Sequence, residues 1–283
     1  MESILKTVSD YLVKVLYASG AQLFVLLGPL IILSFCMHFI ARLNEQLSYK
    51  VLGRTVYLYG FGWLGTSVHE LGHALFAVIF GHKIDDMVLF SPNAPNGNLG
   101  YVNHSYNKKS LYQNLGNFFI GIGPVLLGSF MLFVITYLIY RYNISIISVP
   151  VDYHSFIDFE MFKSLVLNLW ISVKTYYEVI SGSQSRWWQM VLLFYCLYSI
   201  GSSITLSPAD VKSSFRGFLI FVLLIVVFNL ATIWIGNFAV TVLAYIGSLF
   251  SILYFLMIIS CLVNLIFIVA LTILYLIKKP FVR

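Results

Sequence analysis

Charged residues are scarce in this chain, at 10% of its 283 residues, whereas 60% of the residues are hydrophobic. A soluble core of this size cannot bury so much apolar surface, so the composition excludes a soluble globular domain. Cysteine is also rare. The 3 cysteines are an odd number and lie in apolar segments, which excludes a disulfide framework. The net charge of +6 comes from basic residues near the ends of apolar runs, where they anchor membrane helices. We therefore expect a lipid bilayer, and no nucleic acid, as a partner.

Long apolar runs are abundant, and several exceed the roughly 18 residues that a helix needs to cross hydrocarbon. We expect an all-α membrane protein of about six transmembrane helices, built as one domain over residues 1–283. The last run, of about 40 residues, is too long for one straight span. Either a short helix near Phe238–Ser248 precedes the final span, or two spans turn around Ser260–Asn264, which makes seven. The predicted spans are Ala21–Ala41, Val56–Phe80, Leu115–Tyr140, Trp188–Leu206, Phe215–Ile235 and Leu249–Ile277.

The charges outside the predicted spans indicate an orientation. Basic residues at span ends favour the face of the N-terminus by about nine to five, so we expect both termini in the cytoplasm, in an inner or plasma membrane. Residues 1–20 carry charged side chains in place of an apolar core, which predicts no cleavable signal peptide. Residues 158–180 have apolar side chains at helical spacing and predict an amphipathic helix on the opposite membrane surface. This helix is either a connector or a lid that controls substrate access.

The most informative motif is His69-Glu70-Leu71-Gly72-His73, which lies within the second predicted span. Histidines four residues apart on a helix share one face and can both coordinate one Zn²⁺. The glutamate between them can act as general base toward a water that the metal activates. The alternative is a pair of packed core histidines, but ionisable residues inside a membrane are costly and usually functional. We therefore interpret the motif as a hydrolase site with one zinc per chain.

A catalytic zinc usually takes three protein ligands and leaves a fourth position for water, so a third ligand must lie elsewhere. The best candidate is Asp210 at the end of the fourth predicted span, because two further crossings return the chain to the histidines' face. Pro208 would interrupt regular helix beside it. The alternative is that Asp210 only caps a helix next to Lys212. Four other residues lie on this face, in the loop outside the span, and are weaker candidates for the third ligand: His82, Asp85, Asp86 and His104.

Glycine and turn residues surround the motif. The segment that follows it is rich in Pro, Asn and Gly, and its Asn96-Gly97 pair is typical of a hairpin turn. We expect either a short polar, hairpin-like loop or a plain polar connection there. Small residues along the histidine-bearing helix permit close approach of a neighbouring helix. These small residues are Gly60, Gly62, Gly65 and Gly72.

These motifs together resemble the site-2 protease family of intramembrane zinc metalloproteases. The resemblance rests on His69–Leu75 with the Phe80–Lys83 exit after it, on Gly121–Pro124 in the third predicted span, and on Pro208–Asp210. It extends over about residues 55–212 and leaves three flanking spans at about 21–41, 215–235 and 249–277. It implies that Asp210 is the third zinc ligand, and that a short β element near the zinc pairs with an extended substrate.

The chain departs from the family pattern at two positions. Val211 follows the aspartate where the family usually has glycine, and Ser202 stands where the family has asparagine. The departures indicate a divergent branch of the family.

We predict an intramembrane zinc metalloprotease that hydrolyses a peptide bond in or near a transmembrane segment of a membrane-protein substrate. Candidates for substrate contacts are Asn114, Asn117 and His104. A protease with glutamate as third ligand, as in the prenylated-protein type, is disfavoured because Glu160 and Glu178 lie across the membrane. The alternative function is a metal transporter, or an inactive membrane protein with a structural zinc. Transporters usually have internal repeats and polar groups along several spans, and no repeat is evident here.

Overall fold

The computed structural model describes residues 2–93, 98–140, 170–171, 173–178, 180–182, 186–235 and 238–278. The described residues are mostly helical and include one small sheet. The described helices with defined bounds are α1 (Glu2–Val51), α2 (Arg54–Tyr57), α3 (Trp63–Ile79), α4 (Leu111–Tyr140), α5 (Trp187–Ser199), α6 (Pro208–Thr232) and α7 (Phe238–Lys278). The strands are β1 (Lys83–Val88) and β2 (Tyr101–Ser105).

Four helices in the described part of the chain are long and apolar enough to cross a membrane. They cover Ile4–Val51, Leu111–Tyr140, Pro208–Ile235 and Phe250–Lys278. The prediction of a helical membrane protein agrees with this, whereas six spans are not confirmed. The orientation of the termini stays a prediction.

The second and fourth predicted spans are not regular transmembrane helices. The second divides into α2, a π-helical turn over Leu58–Gly62, and α3. The fourth ends early because α5 stops at Ser199 and a 3₁₀ turn follows over Gly201–Ser203. Serine hydroxyls compete with the helix there, since those of Ser202 and Ser203 donate to carbonyls three residues back.

The last apolar run is one uninterrupted helix, α7, so the turn proposed around Ser260–Asn264 is wrong, as is a break near residue 248. The polar side chains that suggested the turn have partners on neighbouring helices. Asn264 Nδ2 donates to the carbonyl of Leu197 at 3.4 Å, and Asn44 Nδ2 of α1 donates to Asn264 Oδ1 at 2.9 Å. Because the amide nitrogens of Asn264 and Asn44 donate to partners within the bundle, the helix continues through Ser260–Asn264, although the buried Oδ1 of Asn44 has no partner among the described residues.

The segment after α3 forms the expected hairpin-like element. Strands β1 and β2 pair antiparallel, from Lys83 opposite Ser105 to Val88 opposite Tyr101, with an irregularity between Ile84 and Asp86. The Asn96-Gly97 turn lies outside the described residues.

Most of the predicted amphipathic segment 158–180 also lies outside the described residues. Its described residues from 170 onward are helical. Tyr176 is buried and packs edge-on against Phe255 of α7, whereas Tyr177 is exposed. This end of the segment therefore packs on the bundle through Tyr176.

Candidate metal centre

His69, His73 and Asp210 converge on one point between α3 and the start of α6. One ligand atom from each lies within 4.8 Å of the other two, and within the described ranges no other His, Cys, Asp or Glu group does this. The Nε2 of His73 lies 3.4 Å from Oδ1 of Asp210. Two ligands held at about 2.0–2.1 Å in a tetrahedral zinc site lie about 3.4 Å apart. The spacing of this pair therefore fits a shared metal ion.

Each histidine is oriented by a backbone carbonyl. The Nδ1–H of His69 donates to the Ser203 carbonyl at 2.8 Å, and that of His73 donates to the Ile120 carbonyl at 2.8 Å. This tautomer leaves both Nε2 atoms with a free lone pair. Metal-binding histidines almost always donate their second ring nitrogen in this way.

Asp210 combines two roles that the sequence presented as alternatives. It is the third residue of α6, and its Oδ2 accepts a hydrogen bond from the Ser207 backbone N–H at 2.9 Å. The Ser207 hydroxyl in turn accepts from the Asp210 N–H at 3.1 Å, which completes a capping box. The cap fixes the carboxylate and leaves Oδ1 directed toward His73.

The Gly121–Pro124 segment of α4 packs between α3, which carries the two histidines, and α6, which carries Asp210. A Cβ on Gly123 would lie 2.6 Å from the Gly72 carbonyl oxygen, and one on Gly121 would overlap the Ser214 side chain of α6. Glycine at these positions lets α4 touch both α3 and α6. The carbonyl of Ile120, one residue earlier, is the partner of His73.

Glu70 lies between the two histidines and is only 8% exposed. The backbone just before β2 covers it, since a Cβ on Gly100 would lie 2.7 Å from Glu70 Cγ and 3.0 Å from Thr66 Cγ2. The hairpin is therefore packed directly onto the candidate general base. Any side chain at position 100 would displace the side chain of Glu70 or that of Thr66.

The two asparagines predicted to contact substrate lie outside this cluster. Asn114 is 2% exposed, and its amide donates to the carbonyls of Lys108 and Ser110, which anchors the start of α4. Asn117 is also buried, with its amide 3.4 Å from the Asn114 carbonyl oxygen. The Nδ2 atoms of both side chains are occupied by backbone near the N-terminal end of α4, whereas the buried Oδ1 of Asn114 has no partner among the described residues.

His104 of β2 pairs with His82, since their Nδ1 atoms are 3.0 Å apart. His82 is buried and donates from Nε2 to the Gln113 carbonyl at 2.8 Å, so its Nδ1 accepts and His104 Nδ1 donates. Burial, and then the neighbouring His82 and His73, lower the pKa of His104. In this neutral form the Nε2 of His104 is an acceptor. It therefore cannot donate a hydrogen bond to the oxyanion that forms on a substrate carbonyl during hydrolysis.

The alternative third ligands on the hairpin are engaged elsewhere. Asp85 accepts from the Ser105 hydroxyl at 3.1 Å and lies 3.9 Å from the Lys83 ammonium. Asp86 accepts from the Tyr101 hydroxyl at 2.6 Å. Neither carboxylate belongs to the histidine cluster, so Asp210 is the carboxylate that the fold brings to it.

Sequence reasoning missed the backbone partners of the site. The carbonyls of Ser203 and Ile120 carry no side-chain signal, and Gly100 stood in a loop with no recognisable role. The serine-rich break before Pro208 was the one available signal, because such a break frees backbone carbonyls for other partners.

Comparison with known proteins gives no match: no protein-family model, no curated protein and no solved structure matches this chain. The functional interpretation therefore rests on the site itself.

Proposed function

We propose that this protein is an intramembrane zinc metalloprotease, similar to the site-2 protease family. The observation that carries the proposal is the convergence of His69, His73 and Asp210 around a helix that also presents Glu70. Two neutral imidazoles and one carboxylate are a typical protein ligand set for catalytic zinc. The carbonyl partners of both histidines add to the fit.

A zinc ion held by these three side chains would supply Lewis-acid chemistry, which lowers the pKa of water and polarises a carbonyl group. Glu70 then has the role of proton carrier. Its carboxylate accepts a proton from the attacking water and delivers it to the nitrogen of the leaving amine. The cover formed by Gly100 keeps the carboxylate largely out of bulk solvent.

The β1–β2 hairpin supports a peptide as the substrate. A membrane-spanning substrate begins as a helix whose amides are internally bonded, so its scissile bond becomes accessible only when the helix unwinds. The described part of the chain pairs β1 with β2 alone, which leaves strand edges that can bond to an extended peptide. Gly100, just before β2, packs on Glu70, which supports the proposal that an edge of the hairpin binds the peptide near the reacting groups.

The test is proteolysis by purified protein and by its Glu70→Gln variant, each loaded with zinc. We use a panel of single-span reporter proteins as substrates. The wild type should cleave within or near the span, and Glu70→Gln should bind zinc equally but lose cleavage, because an amide cannot accept the proton. Near-normal cleavage by Glu70→Gln would exclude this glutamate as the base. Failure of the zinc-loaded wild type to cleave any reporter, with zinc transport into vesicles instead, would favour the transporter alternative.

A further inference from the structure

A cavity of about 280 Å³ with ionisable side chains in its wall adjoins the candidate metal centre on the His69 side. Its wall combines α1, the first turns of α3 and the irregular segment after α5, and Leu99 from the hairpin contributes as well. Ligand pockets usually measure about 300–1,000 Å³, so this one suits a side chain or two of an extended peptide. A helix, about 10–12 Å across, is too wide for it.

Helix α1 contributes three ionisable side chains to this cavity: His38, Arg42 and Glu45. Their spacing of four and three residues places them on one face of the helix. Ionisable residues in membrane helices usually face a water-filled cavity and mark a substrate or ion path. In the sequence, Arg42 is one of the basic residues at the ends of predicted spans. In the fold, it lines the same cavity as a candidate zinc ligand.

Among the residues that the structure describes, the charge of Arg42 has no carboxylate counterion. Glu45, one turn further along α1, accepts a hydrogen bond from the Tyr49 hydroxyl at 2.5 Å. Within the described residues, no carboxylate oxygen lies within 4.0 Å of the Arg42 guanidinium. Arg42 is also exposed, so its donors are available to a ligand in the cavity. A guanidinium presents these donors as a planar fork that matches a carboxylate at two points.

Two of the hydroxyl groups around the cavity cannot replace Arg42 as donors. Ser202 and Ser203 already donate to the carbonyls of Ser199 and Ile200, at 2.9 and 2.7 Å, so only their lone pairs remain. Arg42 is therefore a strong cationic donor in the cavity, whereas the carboxylate on the wall, Glu45, is already bonded to the Tyr49 hydroxyl. A ligand that carries a single carboxylate can pair with the Arg42 guanidinium.

We propose that this cavity is a substrate subsite in which Arg42 binds an Asp or Glu side chain of the peptide, close to the bond that is cut. The assignment of the peptide as a protease substrate rests on the proposed function, whereas the carboxylate preference rests on the cavity. Arg42 belongs to α1, which lies outside the 55–212 core. The subsite would make cleavage depend on an acidic residue at one fixed position relative to the scissile bond.

The experiment measures peptide binding without cleavage. Full-length Glu70→Gln protein in detergent micelles is titrated into fluorescently labelled Ala/Leu peptides that carry one Asp, moved stepwise along the peptide, or one Asn at the same places. At one position the Asp peptide should bind about tenfold or more tightly than its Asn counterpart, because a charge-assisted bidentate pair replaces a neutral contact. Adding Arg42→Gln should remove the preference, and adding Arg42→Lys should keep part of it.

Arg54→Gln is the matched control in the same Glu70→Gln protein. Arg54 is another cation near the end of α1, but it donates to the Pro92 carbonyl at 3.2 Å and does not line the cavity. This variant should keep the preference for Asp. Equal binding of the Asp and Asn peptides, no binding of either, or a preference that survives Arg42→Gln would overturn the subsite. Binding of phosphatidylglycerol that depends on Arg42, without any peptide preference, would also overturn it.

The two proposals fail in distinguishable ways. If the wild type cleaves reporters with Asp and Asn equally well, and the Asp and Asn peptides bind equally, the proposed subsite is refuted and the proposed protease function stands. An Arg42-dependent preference for Asp in a protein that cleaves no reporter supports the carboxylate site and refutes the protease.

Discussion

Replacing Gly72 with alanine adds a methyl group where α3 crosses α4. The new Cβ would lie 2.6 Å from both the Cα and the N of Pro124 and 2.7 Å from the carbonyl carbon of Gly123. Carbon atoms in contact prefer about 3.5–4.0 Å. Because these neighbours are backbone atoms that cannot rotate away, the two helices must separate by roughly 1 Å.

The separation falls beside the candidate metal ligands. His73 follows Gly72 directly, and its 2.8 Å bond to the Ile120 carbonyl crosses the same contact. A shift of roughly 1 Å takes this bond beyond the about 3.2 Å limit for N–H···O geometry. Loss of such an orienting partner typically lowers metal affinity by about 10–100-fold. Overpacking costs about 1–3 kcal/mol of stability, which the better helix propensity of alanine offsets by about 1 kcal/mol.

We therefore expect Gly72→Ala to bind zinc about 10–100-fold more weakly and to lose up to about 2 kcal/mol of unfolding free energy. Competition with a fluorescent chelator measures the first quantity, and unfolding of the metal-free protein in detergent measures the second. Gly60→Ala is the control, because a Cβ at Gly60 meets nothing within 4 Å. Equal zinc affinity and equal unfolding temperatures in the two variants would refute the expected separation of α3 and α4.

Further predictions concern the ligands and the cap. The double substitution His69→Ala and His73→Ala should remove most of the bound zinc in metal analysis, and full occupancy would refute the ligand assignment. Asp210→Asn keeps an acceptor for the Ser207 N–H but loses the charge, so zinc binding should weaken with little change in melting temperature. Asp210→Ala should also lose about 1 kcal/mol of stability, and a zinc-loaded, active Asp210→Ala protein would move the third ligand elsewhere. Ser207→Ala removes only the cap, so stability should fall by about 0.5–2 kcal/mol while zinc content stays unchanged; a large loss of zinc would show that the cap is needed to position the carboxylate.

The sequence by itself determined the features that depend on neighbours along the chain. His69 and His73 share one helical face because four residues make about one turn, whatever packs against them. The apolar runs that became α1, α4, α6 and α7 were visible for the same reason, since hydropathy is a local sum. Gly121 and Gly123 were recognisable as small residues that permit close helix packing. The sequence did not indicate which helix each glycine contacts.

The tertiary structure decided what each polar group faces. It gave the Asp210 carboxylate both a cap and a place beside His73, which local reasoning could treat only as alternatives. Asn264, which suggested a turn in the sequence, lies within α7 and is a buried hydrogen-bond partner of Asn44. The tertiary structure also placed Arg42 in the wall of a cavity that reaches His69. Each outcome depends on a contact between segments far apart in the chain, and the free energy of a buried polar group depends on whether its partner arrives there.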